Sequence, residues 1–177
     1  MSQTAWIGLG GNLGNPVRNL CEAVLALDAH ESIDVQRLSR LYRSLPWGVT
    51  DQPDFHNAVV AVSTTLAPEP LLSELLSLEA QLGRVRGPAR WGPRHIDLDL
   101  LMYDGALVDS PQLTLPHPRL SERAFVLVPL MDIAPNLKPP GFASLADALT
   151  SLPAGDRDGL TPVADAAWDA LMERKQE

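Results

Sequence analysis

The order of strand-like and helix-like segments over the first 103 residues restricts the fold more than any other feature of the sequence. Four apolar or β-branched runs are typical of strands, at residues 4–9, 33–43, 55–65 and 96–103. Helical patterns follow the first and the third of them, at about 16–30 and 68–82. The resulting order, β-α-β-β-α-β, predicts an α+β, ferredoxin-like core, in which helices pack on one face of an antiparallel sheet.

Capping signals extend this prediction toward the C-terminus. Asn15 and Pro16 fit the start of the first helix, and Ser121 is placed to cap a third helix that ends near Ile133. Ser144 and Asp147 resemble a capping box for a fourth helix. Residues 151–163 have the composition of a loop, and 164–175 form either a terminal helix or a mobile tail. We therefore predict one domain over 1–160, followed by a terminal helix or flexible tail over 161–177.

Charge and cysteine content exclude several classes of protein. The net charge is −8, whereas binding to nucleic acid relies on a basic face. Cys21 is the only cysteine, so neither an internal disulfide nor a multi-cysteine zinc site can form. No apolar window approaches the ~20 residues of a membrane span, and the N-terminus lacks the basic flank of a signal peptide. We expect a cytoplasmic protein with no nucleic-acid or membrane partner.

A cluster of arginines stands directly before the fourth predicted strand. Residues 84–94 contain no carboxylate, but they carry four arginines, Arg84, Arg86, Arg90 and Arg94. In an acidic chain this concentration of positive charge indicates a local anion site. A solvated, charged loop is the alternative.

Two aspartates follow the arginines. Asp97 and Asp99 are two positions apart on a predicted strand, so their side chains point to the same face. Carboxylates roughly 6–7 Å apart repel each other unless a cation lies close to both. Mg²⁺ suits them, because it takes carboxylate oxygens and keeps positions for water and substrate phosphates. An acidic face on an edge strand is the alternative, but the adjoining arginines favour metal-dependent phosphoryl transfer.

Other polar residues give weaker signals. The glycine-rich segment 8–14 lacks the third glycine of a dinucleotide-binding fingerprint, so we interpret it as a tight strand-to-helix turn. His117 lies between two prolines and is either a hydrogen-bond donor to a phosphate or a solvent-exposed loop residue. Phe55 and Asn57 share a predicted strand face that would suit a planar heterocycle, although Phe55 alone is more typical of a core residue.

Three motifs occur in order along the chain: G-x-G-x-N-L-G at 8–14, D-Q-P-x-F-x-N at 51–57 and R-W-G-P-R-x-x-D-L-D at 90–99. Together they resemble the motifs of the 6-hydroxymethyl-7,8-dihydropterin pyrophosphokinases. The resemblance covers about residues 4–150 and implies a ferredoxin-like fold. It also implies an enzyme of folate biosynthesis that transfers the terminal two phosphates of ATP to the pterin hydroxymethyl group and releases AMP.

The resemblance further implies a role for particular residues at matching positions. Two Mg²⁺ ions would be bound by Asp97 and Asp99, and catalysis would depend on Arg84, Arg94, Asp97 and Asp99. The residues implied around ATP are Glu79, Arg84, Trp91, Arg94, Leu100, Thr114, His117 and Arg123. Those implied around the pterin are Gly10, Ser44, Leu45, Pro46, Trp47, Phe55, Asn57 and Phe125, with the two phenylalanines stacking on the ring. Loops near 44–54 and 84–94 would close over the substrates, and a monomer is expected.

Two other functions remain open at this point. A ferredoxin-like sheet can serve as a regulatory or ligand-binding module, although a passive module has no need of paired metal carboxylates. A nucleotidyltransferase can use the same two-metal chemistry. The products separate the three hypotheses: AMP and a pterin diphosphate, pyrophosphate release, or no turnover.

Overall fold

A computed structural model describes residues 1–46, 49–83 and 93–176. The strands are β1 Gln3–Gly11, β2 Ile33–Leu38, β3 Leu41–Ser44, β4 Phe55–Thr64, β5 Asp97–Tyr103, β6 Val108–Asp109, β7 Thr114–Leu115 and β8 Leu160–Val163. The helices are α1 Pro16–Asp28, α2 Pro68–Gln81, α3 Ala124–Ile133, α4 Leu145–Thr150, α5 Ala154–Asp158 and α6 Ala166–Arg174, with a 3₁₀ turn at Leu120–Glu122.

The main sheet has the predicted ferredoxin-like topology. Its strands run in the order β5-β1-β4-β3-β8, β2 pairs with β4 beside β3, and each pair is antiparallel. Strands β1 and β4 therefore lie side by side in the centre, as the split βαβ arrangement requires. The sheet positions the ends of β1, β4 and β5 next to one another.

The second predicted strand is broken into two. The prediction of one strand over 33–43 is wrong at Ser39 and Arg40, which separate β2 from β3. Ser39 Oγ accepts from the Val59 N–H at 2.9 Å and donates to the Arg40 carbonyl at 2.7 Å. This side chain takes over bonds that a continuous ladder would make with backbone groups, so the strand bends there.

Helices cover both faces of the sheet. Ala5, Ile7 and Leu9 of β1 face α1 and α2, in a core that also contains Trp168 of α6. Trp6 of β1 lies in a second core, with residues of α3 and α4. The two helices of the repeat thus share one face as predicted, and the C-terminal helices α3 and α4 occupy the other.

Two of the three predicted helix caps are confirmed. The Asn15 side chain accepts from the Arg18 N–H at the start of α1, and the Ser144 side chain accepts from the Asp147 N–H at the start of α4. The prediction for Ser121 is wrong, because this residue lies inside the 3₁₀ turn and α3 begins after Arg123.

The C-terminal segment is more ordered than the sequence indicates. Residues 151–163 were predicted as a loop, but they contain α5 and β8, and β8 pairs with β3. Of the two alternatives for the terminus, the structure has a helix, α6, which Asp165 caps. The Trp168 side chain is fully buried, and its Nε1 donates to the Ser39 carbonyl at 3.0 Å. Within the described residues, no helix is both long enough and apolar enough to span a bilayer.

Candidate active site

A cleft opens on the α3 face of the sheet, over two glycines of β1. Gly10 pairs with Asn57 of β4 on one side and with Asp97 of β5 on the other, and Gly8 pairs with Asp99. Directly opposed residues of antiparallel strands project from the same face. Because Gly8 and Gly10 have no side chains, they form a low floor between Asn57 and the two carboxylates.

The space above Gly10 is limited. A Cβ atom built on Gly10 would lie 3.0 Å from Asn57 Oδ1, which is tighter than ordinary packing, whereas one on Gly8 would meet Leu101 at 3.5 Å. Any side chain at position 10 would therefore require the Asn57 amide to shift by a few tenths of an ångström. The cleft is lined by Gly8, Leu9, Gly10, Ser44, Leu45, Phe55, Asn57, Ala58, Arg94, Asp97, Asp99, Arg123, Phe125 and Val126.

The carboxylates of Asp97 and Asp99 form the negative side of the cleft. Asp97 Oδ2 accepts from Arg94 Nη1 at 2.6 Å, and Asp99 Oδ2 lies 3.7 Å from Arg123 Nη1. Burial and the charge of Asp97 raise the pKa of Asp99 to about 7, although 35% of its side chain is exposed to the cleft. Burial and the neighbouring negative charge both disfavour the ionised form of Asp99, and a cation bound beside the two carboxylates would offset that cost.

Asn12 holds both Arg94 and the loop that follows β3. Its Oδ1 accepts from the Arg94 N–H at 2.8 Å, and the Arg94 carbonyl accepts from the Asn12 N–H at 2.8 Å. Its Nδ2 donates to Gln52 Oε1 at 3.0 Å and to the Pro53 carbonyl at 2.9 Å. Asn12 is 3% exposed, so these bonds are shielded from water. One buried amide therefore links the segment before β5 to the segment before β4.

His117 is a neutral hydrogen-bond donor beside Arg123. Burial and the positive charge of Arg123 lower the pKa of His117 to about 4. Its Nδ1 accepts from the Arg119 N–H at 3.1 Å, so the ring proton is on Nε2. His117 is half-buried, and its own N–H donates to the Leu101 carbonyl, which ties the residue to β5. The alternative prediction, that His117 is a solvent-exposed loop residue, is therefore wrong.

The opposite side of the cleft is apolar with one amide. Asn57 is 5% exposed, and its Nδ2 donates to Ser44 Oγ at 2.6 Å, which leaves Oδ1 directed over Gly10. Phe55 and Phe125 both line the cleft, one from β4 and one from α3. The Arg123 guanidinium lies 5.6 Å from the centroid of the Phe125 ring. An apolar slot beside a charged region suits a ligand with a flat ring and an anionic or phosphorylated end.

Most of the candidate residues that the structure describes converge on this cleft. Gly10, Ser44, Leu45, Phe55, Asn57, Arg94, Asp97, Asp99, Arg123 and Phe125 line it. Pro46 lines an adjoining hollow with Ser44 and Leu45. The candidates Trp47, Arg84 and Trp91 lie outside the described residues, and their roles stay predictions.

Four candidates for the nucleotide lie apart from the cleft lining: His117, described above, and three others. Thr114 is exposed on β7, and Leu100 is 3% exposed with its side chain in the core toward α1 and α2. Glu79 is 2% exposed, and its Oε1 accepts from the Leu98 N–H at 2.7 Å. Their contacts with ATP also stay predictions.

Sequence reasoning missed two residues that shape the site. Gly8 is half of the cleft floor, and its position two residues before Gly10 on a predicted strand was the available signal. Asn12 stands inside the 8–14 motif, but only the fold brings it to Gln52 and Arg94.

The chemistry of the donor set fits Mg²⁺. Within the described residues there is no group of three or more His, Cys, Asp or Glu side chains able to hold a metal ion. Asp97 and Asp99 thus offer two carboxylates, with the remaining positions left to water and a phosphorylated ligand. Mg²⁺ characteristically binds in this way.

Comparison with known proteins relates the chain to one family. The family described as 7,8-dihydro-6-hydroxymethylpterin-pyrophosphokinase (HPPK) matches residues 6–135. The chain is 53% identical over 133 residues to the 2-amino-4-hydroxy-6-hydroxymethyldihydropteridine pyrophosphokinase of Methylorubrum extorquens, covering 75% of this chain and 84% of that one. It is 46% identical over 156 residues to the enzyme of the same name from Pseudomonas aeruginosa, covering 86% of this chain and 94% of that one.

Solved structures share the fold. A crystal structure of Plasmodium falciparum HPPK-DHPS with pterin and p-hydrobenzoate superposes with a TM-score of 0.71 over 93% of this chain, at 13% identity. A second HPPK-DHPS structure, in complex with substrates, gives 0.67 over 85% of this chain, at 14% identity. The chain spans less than half of each of those longer proteins, 48% and 43% respectively.

Proposed function

The chain belongs to the 7,8-dihydro-6-hydroxymethylpterin-pyrophosphokinase family, and from this premise we propose that it is a pyrophosphokinase of folate biosynthesis. It transfers the terminal pyrophosphoryl group of ATP to the hydroxymethyl group of 6-hydroxymethyl-7,8-dihydropterin, and AMP is released. The observation that carries the proposal is one continuous cleft, with Phe55 and Asn57 on one side of the glycine floor and Asp97 and Asp99 on the other.

The apolar half of the cleft is the proposed pterin site. Phe55 and Phe125 offer ring faces for stacking on a planar heterocycle. The Asn57 Oδ1 atom is an acceptor for an N–H group of the ring, because its Nδ2 is already engaged with Ser44. Ser44, Leu45, Pro46 and Trp47 complete this half in the proposal.

The charged half is the proposed polyphosphate site. Arg94 and Arg123 bring two guanidinium groups to the cleft, and His117 adds a neutral N–H donor beside Arg123. Donors arranged in advance around a transferring phosphoryl group stabilise the charge that develops in the transition state. Trp91, which lies in the 90–99 motif, and Arg84 are assigned to the same half from the resemblance to the family. The same resemblance assigns Glu79, Leu100 and Thr114 to it.

Asp97 and Asp99 would hold two Mg²⁺ ions. When bound, Mg²⁺ neutralises the polyphosphate and lowers the pKa of a coordinated hydroxyl group. The residues of the chain position the two carboxylates on one strand face and keep Arg94 and Arg123 within reach of them.

The reaction is an in-line displacement with no covalent enzyme intermediate. The pterin hydroxyl oxygen bonds to the β-phosphorus of ATP, and the bond from that phosphorus to the α,β-bridging oxygen breaks. AMP carries away the bridging oxygen, and the hydroxyl proton is released to solvent. The chain contributes by holding the reactants in line and by offsetting charge.

We also propose one domain over residues 1–160, against which the terminal helix α6 packs, and a protein that works as a monomer in the cytoplasm. Each residue assigned to the site belongs to this one chain, so a second copy is not needed to complete the cleft.

Product analysis tests the function directly. The full chain is incubated with ATP, Mg²⁺ and 6-hydroxymethyl-7,8-dihydropterin, and the products are separated by anion-exchange chromatography and identified by mass. We expect AMP and the pterin diphosphate in equal amounts. Release of free pyrophosphate with a pterin nucleotide would instead indicate a nucleotidyltransferase, and no turnover would indicate a ligand-binding module.

A further inference from the structure

A carboxylate is buried directly behind the Asp97–Asp99 pair. Glu79 lies on the apolar face of α2, beside Leu75 and Leu78, and is 2% exposed. Burying a carboxylate among apolar side chains is costly unless it is hydrogen-bonded. The cost of burying Glu79 indicates that its carboxylate makes an interaction at this position that an apolar side chain would not make.

The hydrogen bond of Glu79 is made to the peptide between the two aspartates. Its Oε1 accepts from the Leu98 N–H at 2.7 Å. In the described sheet, β5 is an edge strand that pairs with β1. An edge strand leaves N–H groups on its outer side without a strand partner. Through this bond α2 anchors the edge strand at the one residue that separates Asp97 from Asp99.

The bond has a consequence for both aspartates. Leu98 projects into the core on the α2 side, whereas Asp97 and Asp99 project into the cleft. Any rotation of the Leu98 peptide would therefore move both carboxylates relative to each other. A charge-assisted hydrogen bond is roughly twice as strong as a neutral one, so it restricts that rotation effectively.

The charge of Glu79 also reaches the cleft. Its carboxylate is bonded to the amide between the two aspartates, so its negative charge lies on the strand segment that carries both of them. The negative charge of Glu79 thus adds to the potential at the two aspartates from the α2 side of the strand.

We propose that Glu79 is a positioning residue for the aspartate pair. It acts through the Leu98 amide, fixing the separation of the Asp97 and Asp99 carboxylates and strengthening their attraction for a divalent cation. This inference rests on the proposed function, in which those carboxylates hold Mg²⁺. It gives Glu79 a role that does not require contact with the nucleotide.

Two variants separate the hydrogen bond from the charge. Glu79→Gln keeps the size of the side chain and an acceptor oxygen but removes the charge. Glu79→Met keeps the size but removes both. Glu74→Gln is the matched control, because Glu74 lies on the same helix and faces His30 instead of β5. Circular dichroism establishes that each variant is folded.

The first readout is the hydrogen exchange of the Leu98 amide, measured by NMR on the full chain without metal or nucleotide. In Glu79→Met we expect exchange to be faster by about 10- to 100-fold, the equivalent of losing a hydrogen bond to a charged group. In Glu79→Gln the increase should be smaller, and Glu74→Gln should match the unmodified protein.

The second readout is Mn²⁺ binding, measured by electron paramagnetic resonance without nucleotide. Both Glu79 variants should bind Mn²⁺ more weakly, Glu79→Met more so than Glu79→Gln, and kcat should fall more than the KM for ATP rises. Unchanged Leu98 exchange and Mn²⁺ affinity in Glu79→Met would overturn the proposal. So would a rise in the KM for ATP alone, which would identify Glu79 as a nucleotide contact.

These measurements remain interpretable whatever reaction the protein catalyses. If product analysis of the unmodified protein gave no pterin diphosphate, the proposed function would fail. Amide exchange and Mn²⁺ affinity would still report whether Glu79 positions the aspartates.

Discussion

The Arg94 guanidinium lies on the Asp97 carboxylate, with 2.6 Å between Nη1 and Oδ2. The backbone of Arg94 is held by two hydrogen bonds with Asn12, and 25% of its side chain is exposed. The backbone is therefore fixed while the charged end borders the cleft. A cation held by Asp97 and Asp99, as proposed, would compete with Arg94 for the Asp97 carboxylate, and the guanidinium would then be able to turn toward bound phosphates with its main chain in place.

Replacement of Arg94 by alanine should lower kcat by about 10²- to 10³-fold, as loss of a donor to a transition-state oxyanion does. The fold should be retained, because the backbone bonds to Asn12 do not involve the side chain. Initial rates at saturating ATP and pterin measure the effect. Arg18→Ala, which removes an exposed arginine on α1, is the control. A rate within threefold of the unmodified protein would remove Arg94 from the site.

Replacement of Asn12 by alanine should raise the KM of both substrates. The Asn12 amide connects Arg94, which borders the charged half of the cleft, to Gln52 and Pro53, which precede Phe55 of the apolar half. Loss of one shielded hydrogen-bond network costs about 1–3 kcal/mol. If this cost is borne by the substrate-bound form, each KM should rise by about 5- to 100-fold. Steady-state kinetics with each substrate varied in turn measures it. An increase for one substrate alone would contradict the link between the two halves.

The features that could be predicted from the sequence are those that depend on contacts between residues close together in the chain. The Asn15 and Ser144 caps and the Asp97–Asp99 spacing depend on contacts within a few positions, and each could be read from the local pattern. The ferredoxin-like order likewise follows from successive apolar runs.

Long-range contacts account for what the sequence did not predict. Ser39 interrupts the second strand because its hydroxyl reaches Val59, 20 positions away. Strand β8 forms because β3 offers it an edge, although its own sequence, LTPV, includes a proline. Gly8 is paired with Asp99 by the register of β1 and β5, and Asn12 meets Gln52 because of the conformation of the loop that follows β3. No local sequence pattern contains this information.

Replacement of Gly10 by alanine should impair pterin binding selectively. The new Cβ would lie 3.0 Å from Asn57 Oδ1 and would displace the amide proposed to bind the ring. We expect the KM for the pterin to rise by about tenfold or more, the equivalent of one lost hydrogen bond, with the KM for ATP little changed. Gly155→Ala on α5 is the control, since nothing lies within 4 Å of a Cβ built there. Equal effects of the two variants would contradict the assignment of Asn57.

Replacement of Trp168 should reveal that α6 belongs to the folded core. The side chain is fully buried and its Nε1 donates to the Ser39 carbonyl. Truncation of a buried tryptophan to alanine lowers the free energy of unfolding by about 3–5 kcal/mol. Trp168→Phe should lower the free energy of unfolding by less, because it retains an aromatic ring, although it also loses the hydrogen bond. Urea unfolding followed by circular dichroism measures both, and an unchanged midpoint for Trp168→Ala would show that α6 is a dispensable tail.

The free energy of unfolding should depend on pH through the raised pKa of Asp99. Burial and Asp97 raise the pKa of Asp99 from its ordinary 3.8 to about 7. Between these two values the folded protein keeps a proton that the unfolded chain has released, so the free energy of unfolding falls as the pH rises. Asp99→Asn should lack this fall and should be the more stable protein at pH 8 in the presence of EDTA. Excess Mg²⁺ at pH 8 should stabilise the unmodified protein but not the variant. Urea unfolding from pH 4 to 8 measures both effects, with Asp158→Asn on the exposed surface of α5 as the control for loss of charge. Parallel pH profiles for the unmodified protein and Asp99→Asn would show that Asp99 titrates as an ordinary surface carboxylate.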